Sequence, residues 1–291
     1  TGLISLGSAV RIRPSLPNYM NKISMFCLSL DPSHLDKIKK LNCIPVGLGN
    51  NLFSNQWLKD ISGKNISKKN SYYGEYTFHY WLWKNYLQNL NDEWIGFCQY
   101  RKFWVKDRET KNIKNFESLN QKLLKSIPEK YEKYDVILGE PIFINNFSFS
   151  KFIKHNFFNM ISSPSLLLNK NKRNIKFHFD MWHGKGNLDK AINLLDTKEK
   201  IDFTNFVERN ISFNPHNMFI CKSKKILTQY YESVFPWLER CEKEFGFKDL
   251  ETYGMKRIYG FLAERYMPYW FNKYAKTSTM PIYFQDISHF D

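Results

Sequence analysis

The sequence lacks the common clamps for phosphate and metal. Over 291 residues there is no G-x-x-x-x-G-K-[ST] and no G-x-G-x-x-G, which removes the best support for P-loop and dinucleotide-binding chemistry. H-E-x-x-H and the G-x-S-x-G elbow are missing too. So is any D-x-D triplet, the acidic pair on which many sugar-nucleotide enzymes seat a divalent cation. No stretch approaches the ~18 uninterrupted apolar residues of a transmembrane helix. The first residues carry no signal-peptide pattern. The five cysteines, Cys27, Cys43, Cys98, Cys221 and Cys241, form no C-x-x-C pair and are odd in number. That argues against a disulfide framework and for reduced, buried thiols in a cytoplasmic protein.

Negative charge is scarce as well. Lys and Arg total 43 against 28 Asp and Glu, a net charge of +15. A basic chain favours anionic partners: nucleic acid, phosphorylated ligands or an anionic membrane face. The richness in Lys, Asn, Ile, Phe and Tyr also fits an AT-rich coding sequence, which accounts for part of that charge. Aromatic residues make up 17% and are spread along the chain. Most belong in a core, and a few flat rings could meet a sugar or a base. The length suffices for one large domain.

Periodicity and punctuation predict alternating strands and helices. Strands are expected over 22–30, 43–49, 93–100, 134–141 and 216–223. Helices are expected over 34–41, 76–90, 116–127, 188–195, 225–245 and 255–275, with Pro268 kinking or ending the last. The polar stretch 58–75 reads as a loop. Such alternation implies an α/β layer structure with a mostly parallel central sheet flanked by helices. Ligands of open α/β sheets sit beyond the carboxyl ends of the strands. Residues there include Gln99–Lys102 and the corner Gly139-Glu140-Pro141.

What remains for chemistry is cationic. In "WIGFCQYRKFW" (94–104) an apolar strand runs into Arg101 and Lys102. Arg101 offers a planar fork for phosphate oxygens and Lys102 a point charge. Fixed cations there would stabilise a departing diphosphate more than the ground state. The plain alternative is a solvated basic edge. A second cluster, "FHFDMWHGKGNLDKA" (177–191), sets His178 and His183 about Asp180, with Asp189 near the next helix start. It matches no metal spacing, and could orient or deprotonate a hydroxyl. In "YYGEYTFHYWLWKN" (72–85), Glu75 stands where it could cap a helix or hold a sugar hydroxyl.

Four stretches in order resemble a bacterial family found in capsule, exopolysaccharide and O-antigen gene clusters, formerly a domain of unknown function. They are "NISKKNSYYGEYTFHYWLWKN", "WIGFCQYRKFW", "NMFICKSKKILTQYYESVFPWLERCE" and "RIYGFLAERYMPYWF". The resemblance runs from about 22 to 275, weakly over 142–176. It implies a GT-A-like single domain over 22–291, preceded by an N-terminal arm or linker remnant over 1–21. It implies a glycosyltransferase moving a hexosyl unit, galactofuranose or galactose favoured, from a UDP-sugar to a hydroxyl of a growing glycan, with inversion. Residues matching the pattern are Glu75, Trp81, Trp83, Lys84, Tyr100, Arg101, Asn217, Gly260, Glu264 and Arg265. Lys102 replaces a second Arg and Gln99 replaces a His. The expected substrate-binding set is Glu75, Lys84, Tyr100, Arg101, Lys102, Asn217, Arg257 and Glu264, with His183 and Asp189 as catalytic candidates. No metal is expected to be required, Mn or Mg being the alternative. The implied partners are the donor, an oligosaccharide or lipid-linked acceptor and the anionic inner membrane face, which the chain would meet as a peripheral cytoplasmic protein. The competing reading is a non-catalytic carbohydrate- or nucleic-acid-binding domain.

Overall fold

The computed structural model describes residues 23–145, 173–247, 250 and 253–290. The expected arm over 1–21 and most of the stretch 142–176 lie outside these residues. The strands are β1 (Ile23–Ser29), β2 (Ile44–Gly47), β3 (Leu58–Lys59), β4 (Trp94–Gln99), β5 (Lys102–Trp104), β6 (Val136–Gly139), β7 (Ile142–Phe143), β8 (Ser212–Phe213), β9 (Phe219–Cys221), β10 (Thr277–Met280) and β11 (Ile282–Phe284). The central sheet runs β10-β6-β9-β4-β1-β2-β3. β9 alone is antiparallel to its neighbours in that path, while β10–β6, β4–β1, β1–β2 and β2–β3 pair in parallel. The α/β class with a mostly parallel sheet is therefore what the chain adopts.

β1 and β4 explain why the sheet is central. Every residue of both strands is buried, as expected of strands covered on two faces. Successive side chains point to opposite faces. Phe26, Leu28, Ile95 and Phe97 therefore enter one core, and Ile23, Met25, Cys27, Trp94 and Cys98 the other. The first core packs under the helices Tyr76–Trp81, Lys224–Phe245 and Ile258–Tyr274. The second packs under Leu35–Lys40 and Phe116–Lys122. All five cysteines are free thiols. Among the described residues no helix is long and apolar enough to cross a membrane.

Several expectations need correction. The helix expected over 76–90 is α-helical only to Trp81, then widens to a π turn over Leu82–Tyr86 and tightens over Leu87–Asn89. The helix expected over 116–127 stops at Lys122. There the chain turns extended so that Leu123 bridges Val105 and the Leu124 amide reaches the Trp104 carbonyl. The loop expected over 58–75 contains β3 and the short helix Asn70–Tyr73. Pro268 does not end its helix, which continues to Tyr274. Met267, Tyr269, Trp270 and Phe271 are buried around it, and that packing outweighs one missing amide donor. Helices Ile175–His183 and Thr197–Arg209 and the strands β5, β10 and β11 had no clear sequence signal.

Phe97 is 1% exposed and its ring meets Phe26, Phe78, His79 and Phe219. Phe97→Ala should cost ~3–5 kcal/mol, the usual loss for deleting a core ring. Urea unfolding checks this, and a loss below ~1 kcal/mol would show that the site collapses or is less buried than described.

Candidate active site

An open cleft lies at the carboxyl ends of β1 and β4. Its outer half is lined by Leu28, Leu30, Leu48 and Tyr100, with Ser29, Asn70 and Gly74. Its inner half is lined by Lys102, His216, Asn217, Gly260, Phe261 and Glu264. Glu75, Gln99, Arg101 and Arg257 line both halves.

The strand does not simply end in cations. After Gln99 the chain folds back at Tyr100-Arg101, so that Lys102 pairs with Gln99 as β5 begins. This places Arg101 at the hairpin tip, exposed, with its guanidinium 5.5 Å from the centre of the Tyr100 ring. Lys102 lies deeper, its Nζ 3.1 Å from His216 Nδ1. Burial pushes the Lys102 ammonium below the usual lysine range, and the Glu75 and Glu264 carboxylates pull it back up.

Glu75 and Gln99 tie the floor together. Glu75 makes no capping bond to the helix that follows it. Its Oε1 accepts from Gln99 Nε2 at 3.0 Å, and its Oε2 accepts from Arg257 at 3.2 Å. Gln99 Nε2 also donates to the His216 carbonyl at 3.1 Å. Gly74 makes room for this pair. It sits at φ +57°, and a Cβ there would run into the Arg257 guanidinium. Glu264 accepts from the His216 amide at 2.6 Å and is ion-paired with Arg265. Arg265 is 2% exposed, its guanidinium 4.2 Å from the centre of the Phe213 ring and 3.3 Å from His178 Nδ1.

Seven of the eight expected binding residues line the cleft: Glu75, Tyr100, Arg101, Lys102, Asn217, Arg257 and Glu264. Lys84 does not. It lies in the π turn, with its Nζ 3.1 Å from the centre of the Trp83 ring. Neither expected catalytic residue lines the cleft. His183 is buried behind Phe261, stacked on that ring at 4.1 Å, and its Nδ1 meets the Gly254 carbonyl at 3.0 Å. Asp189 is paired with Lys176 at 2.6 Å on the helix Asn187–Asn193. His216 is the residue that sequence reasoning passed over. Its only signal was the Asn214-Pro215-His216-Asn217 turn before an apolar strand.

Burial holds four imidazoles neutral. It pushes His79, His183 and His216 down to about 3 and His178 to about 2, with Arg265 adding to the effect at the last three and Lys102 ahead of it at His216. Among the described residues no three His, Cys, Asp or Glu side chains converge to hold a metal ion. The two cleft carboxylates, Glu75 and Glu264, are each held by an arginine.

The site is a cationic cleft beyond the central strands of an α/β fold, and the comparisons bear on that fold and its family. The model of the family described as Domain of unknown function (DUF4422) matches residues 28–276, and the chain belongs to that family. No curated protein matches the sequence. Among solved structures, the apo structure of the bifunctional glycosyltransferase WbbM is similar, with a TM-score of 0.59 and 18% identity over 91% of this chain. At that identity the likeness shows the shared fold, in keeping with the GT-A-like expectation. The chain spans 45% of that protein's length.

The four imidazoles predict how stability varies with pH. Their folded pKa values lie below the unfolded value of 6.5, so between about 3 and 6.5 the unfolded chain binds more protons and stability rises with pH. Their contribution is complete above about pH 6.5 and is lost as pH falls toward 3. The melting temperature should hold from pH 8 to 7 and drop between 6.5 and 5. A flat profile across that last interval would mean that these imidazoles titrate in the folded protein.

Proposed function

We propose that the chain is a glycosyltransferase domain that takes a UDP-hexose, galactofuranose or galactose favoured, and transfers the hexosyl unit to a hydroxyl of a growing capsular, exopolysaccharide or O-antigen glycan. The observation that carries this reading is the convergence of Arg101, Lys102 and Arg257 in one cleft at the carboxyl ends of β1 and β4. Family membership and the shared fold with a glycosyltransferase support it. The outer half offers Leu28, Leu30 and Leu48 as an apolar seat for a flat base. Arg101 and Arg257 line both halves and Lys102 the inner one, so a diphosphate joining base-sugar to hexose would fall where the halves meet.

In an inverting transfer the acceptor oxygen attacks the anomeric carbon as the bond to the diphosphate breaks. The electron pair leaves on the β-phosphate oxygen, and the hydroxyl proton passes to a base. Charge grows on the leaving group, so fixed cations there stabilise the transition state more than the ground state. On this reading Arg101, Lys102 and Arg257 supply that stabilisation. Glu75 and Glu264 are the cleft carboxylates able to take the proton. His216 is a poor base, because an ammonium only donates. Lys102 therefore fills the Nδ1 lone pair and leaves the proton on Nε2. The acceptor would be an oligosaccharide or lipid-linked chain, met at an anionic inner-membrane face that suits the charge of +15.

Arg101 tests the reading with little risk to the fold, being exposed at a hairpin tip. Arg101→Ala should lower UDP-hexose turnover by ~10²–10³-fold, the scale of losing one charge-stabilising donor. Unfolding free energy should stay within ~0.5 kcal/mol of the parent. A folded, fully active variant would return the segment to an ordinary basic edge.

A further inference from the structure

Among the described residues lining the cleft, Asn217 is the one with a buried side-chain polar atom that has no hydrogen-bond partner. It is 7% exposed, yet it lines the inner half. Its Nδ2 donates to the Gly260 carbonyl at 3.2 Å. A backbone carbonyl can only accept, so this bond fixes which way the amide faces. Oδ1 is thereby turned elsewhere, and it is buried with no partner. Unpaired buried acceptors are rare and costly in folded proteins.

The backbone around it is held in a conformation that side chains disfavour. His216 and Asn217 are consecutive non-glycine residues with positive φ, +80° and +53°. Such residues persist where surrounding contacts fix them, and they gather at binding and active sites. Here the contacts are visible. Glu264 holds the His216 amide and Gln99 holds its carbonyl. Gly260 completes the arrangement, since a Cβ on it would lie 3.1 Å from the Tyr73 carbonyl. The absence of that carbon lets the helix Ile258–Tyr274 pack close against the helix Asn70–Tyr73, and the Gly260 carbonyl receives the Asn217 amide.

The chemistry of the missing partner follows from the atom. Oδ1 needs a donor. An ionised phosphate has only acceptor oxygens and cannot satisfy it, although the rest of the cleft is built for anions. A sugar hydroxyl can, and it can accept from a neighbouring donor in turn. We infer that the inner half of the cleft is a sugar subsite, in which a ring hydroxyl of the donor hexose donates to Asn217 Oδ1. This rests on the donor reading above and deepens it. The cations would hold the diphosphate, and Asn217 would read the sugar. A site built around such a bond discriminates strongly against an analogue lacking the hydroxyl.

The test is calorimetric binding of UDP and of a panel of UDP-hexoses, including both ring forms of UDP-galactose, to the parent and to Asn217→Gly. Glycine removes the amide and keeps the positive φ without strain. In the parent, at least one UDP-hexose should bind about tenfold tighter than UDP, the scale of one hydrogen bond to an otherwise unpaired acceptor. In Asn217→Gly that gain should vanish, while UDP itself binds within about twofold of the parent. A second arm needs no variant: among derivatives of the preferred UDP-hexose lacking one ring hydroxyl, a single one should fall to the affinity of UDP. A sugar gain that persists in Asn217→Gly, or no gain for any hexose in the parent, overturns the inference and leaves UDP binding intact. Absence of binding by both UDP and UDP-hexoses overturns the donor reading and this inference together.

Discussion

One side-chain amide holds the candidate active site together. Gln99 ends β4 and is 5% exposed, and its Nε2 donates to the Glu75 carboxylate and to the His216 carbonyl. Through these two bonds the sheet grips the residue before the helix Tyr76–Trp81 and the turn that leads into β9. Both donor hydrogens of the amide have an acceptor, which a single imidazole nitrogen could not provide. Glu75 then holds Arg257, and His216 reaches Lys102 and Glu264. The positions of two cations, Arg257 and Lys102, and two carboxylates thus depend on a bond pair that begins at one strand end.

The charges of the cleft are arranged in depth. Arg101 stands exposed at the rim, and Lys102 lies beneath it with a lowered affinity for its proton. Arg265 is deeper still, wholly enclosed, and serves the cleft indirectly by orienting Glu264. Breaking a buried pair of that kind is costly because it strands the partner charge. The inner wall is therefore stiff, while the rim cation remains free to meet a ligand. Preorganised charge of this sort is effective in catalysis because it need not rearrange as the reaction proceeds.

Much of the fold could be read from the sequence, and the reasons are specific. β1 and β4 are continuous apolar runs flanked by turn residues, so both were legible. The helices Lys224–Phe245 and Ile258–Tyr274 were also legible, since each repeats apolar residues at helical spacing for five turns or so. The hairpin β4–β5 was not, because nothing in Gln99-Tyr100-Arg101-Lys102 resembles a common hairpin turn. Short pairings such as β10 with β6 depend on residues more than a hundred positions apart, which local pattern cannot register. Arg101 and Lys102 were singled out because they follow a strand. His183 and Asp189 were singled out because His and Asp often do chemistry, yet burial against Phe261 and pairing with Lys176 are tertiary facts. His216 was missed for the converse reason: its neighbours come from two distant segments, Gln99 and Lys102 from the β4–β5 hairpin and Glu264 from the helix Ile258–Tyr274.

The account stands on the cleft being the seat of a nucleoside diphosphate. The most direct measurement is a crystal structure of the protein grown with UDP. The account predicts the diphosphate against Arg101, Lys102 and Arg257, and the base among Leu28, Leu30 and Leu48. UDP bound at another surface, or a cleft left empty at saturating UDP, would contradict it.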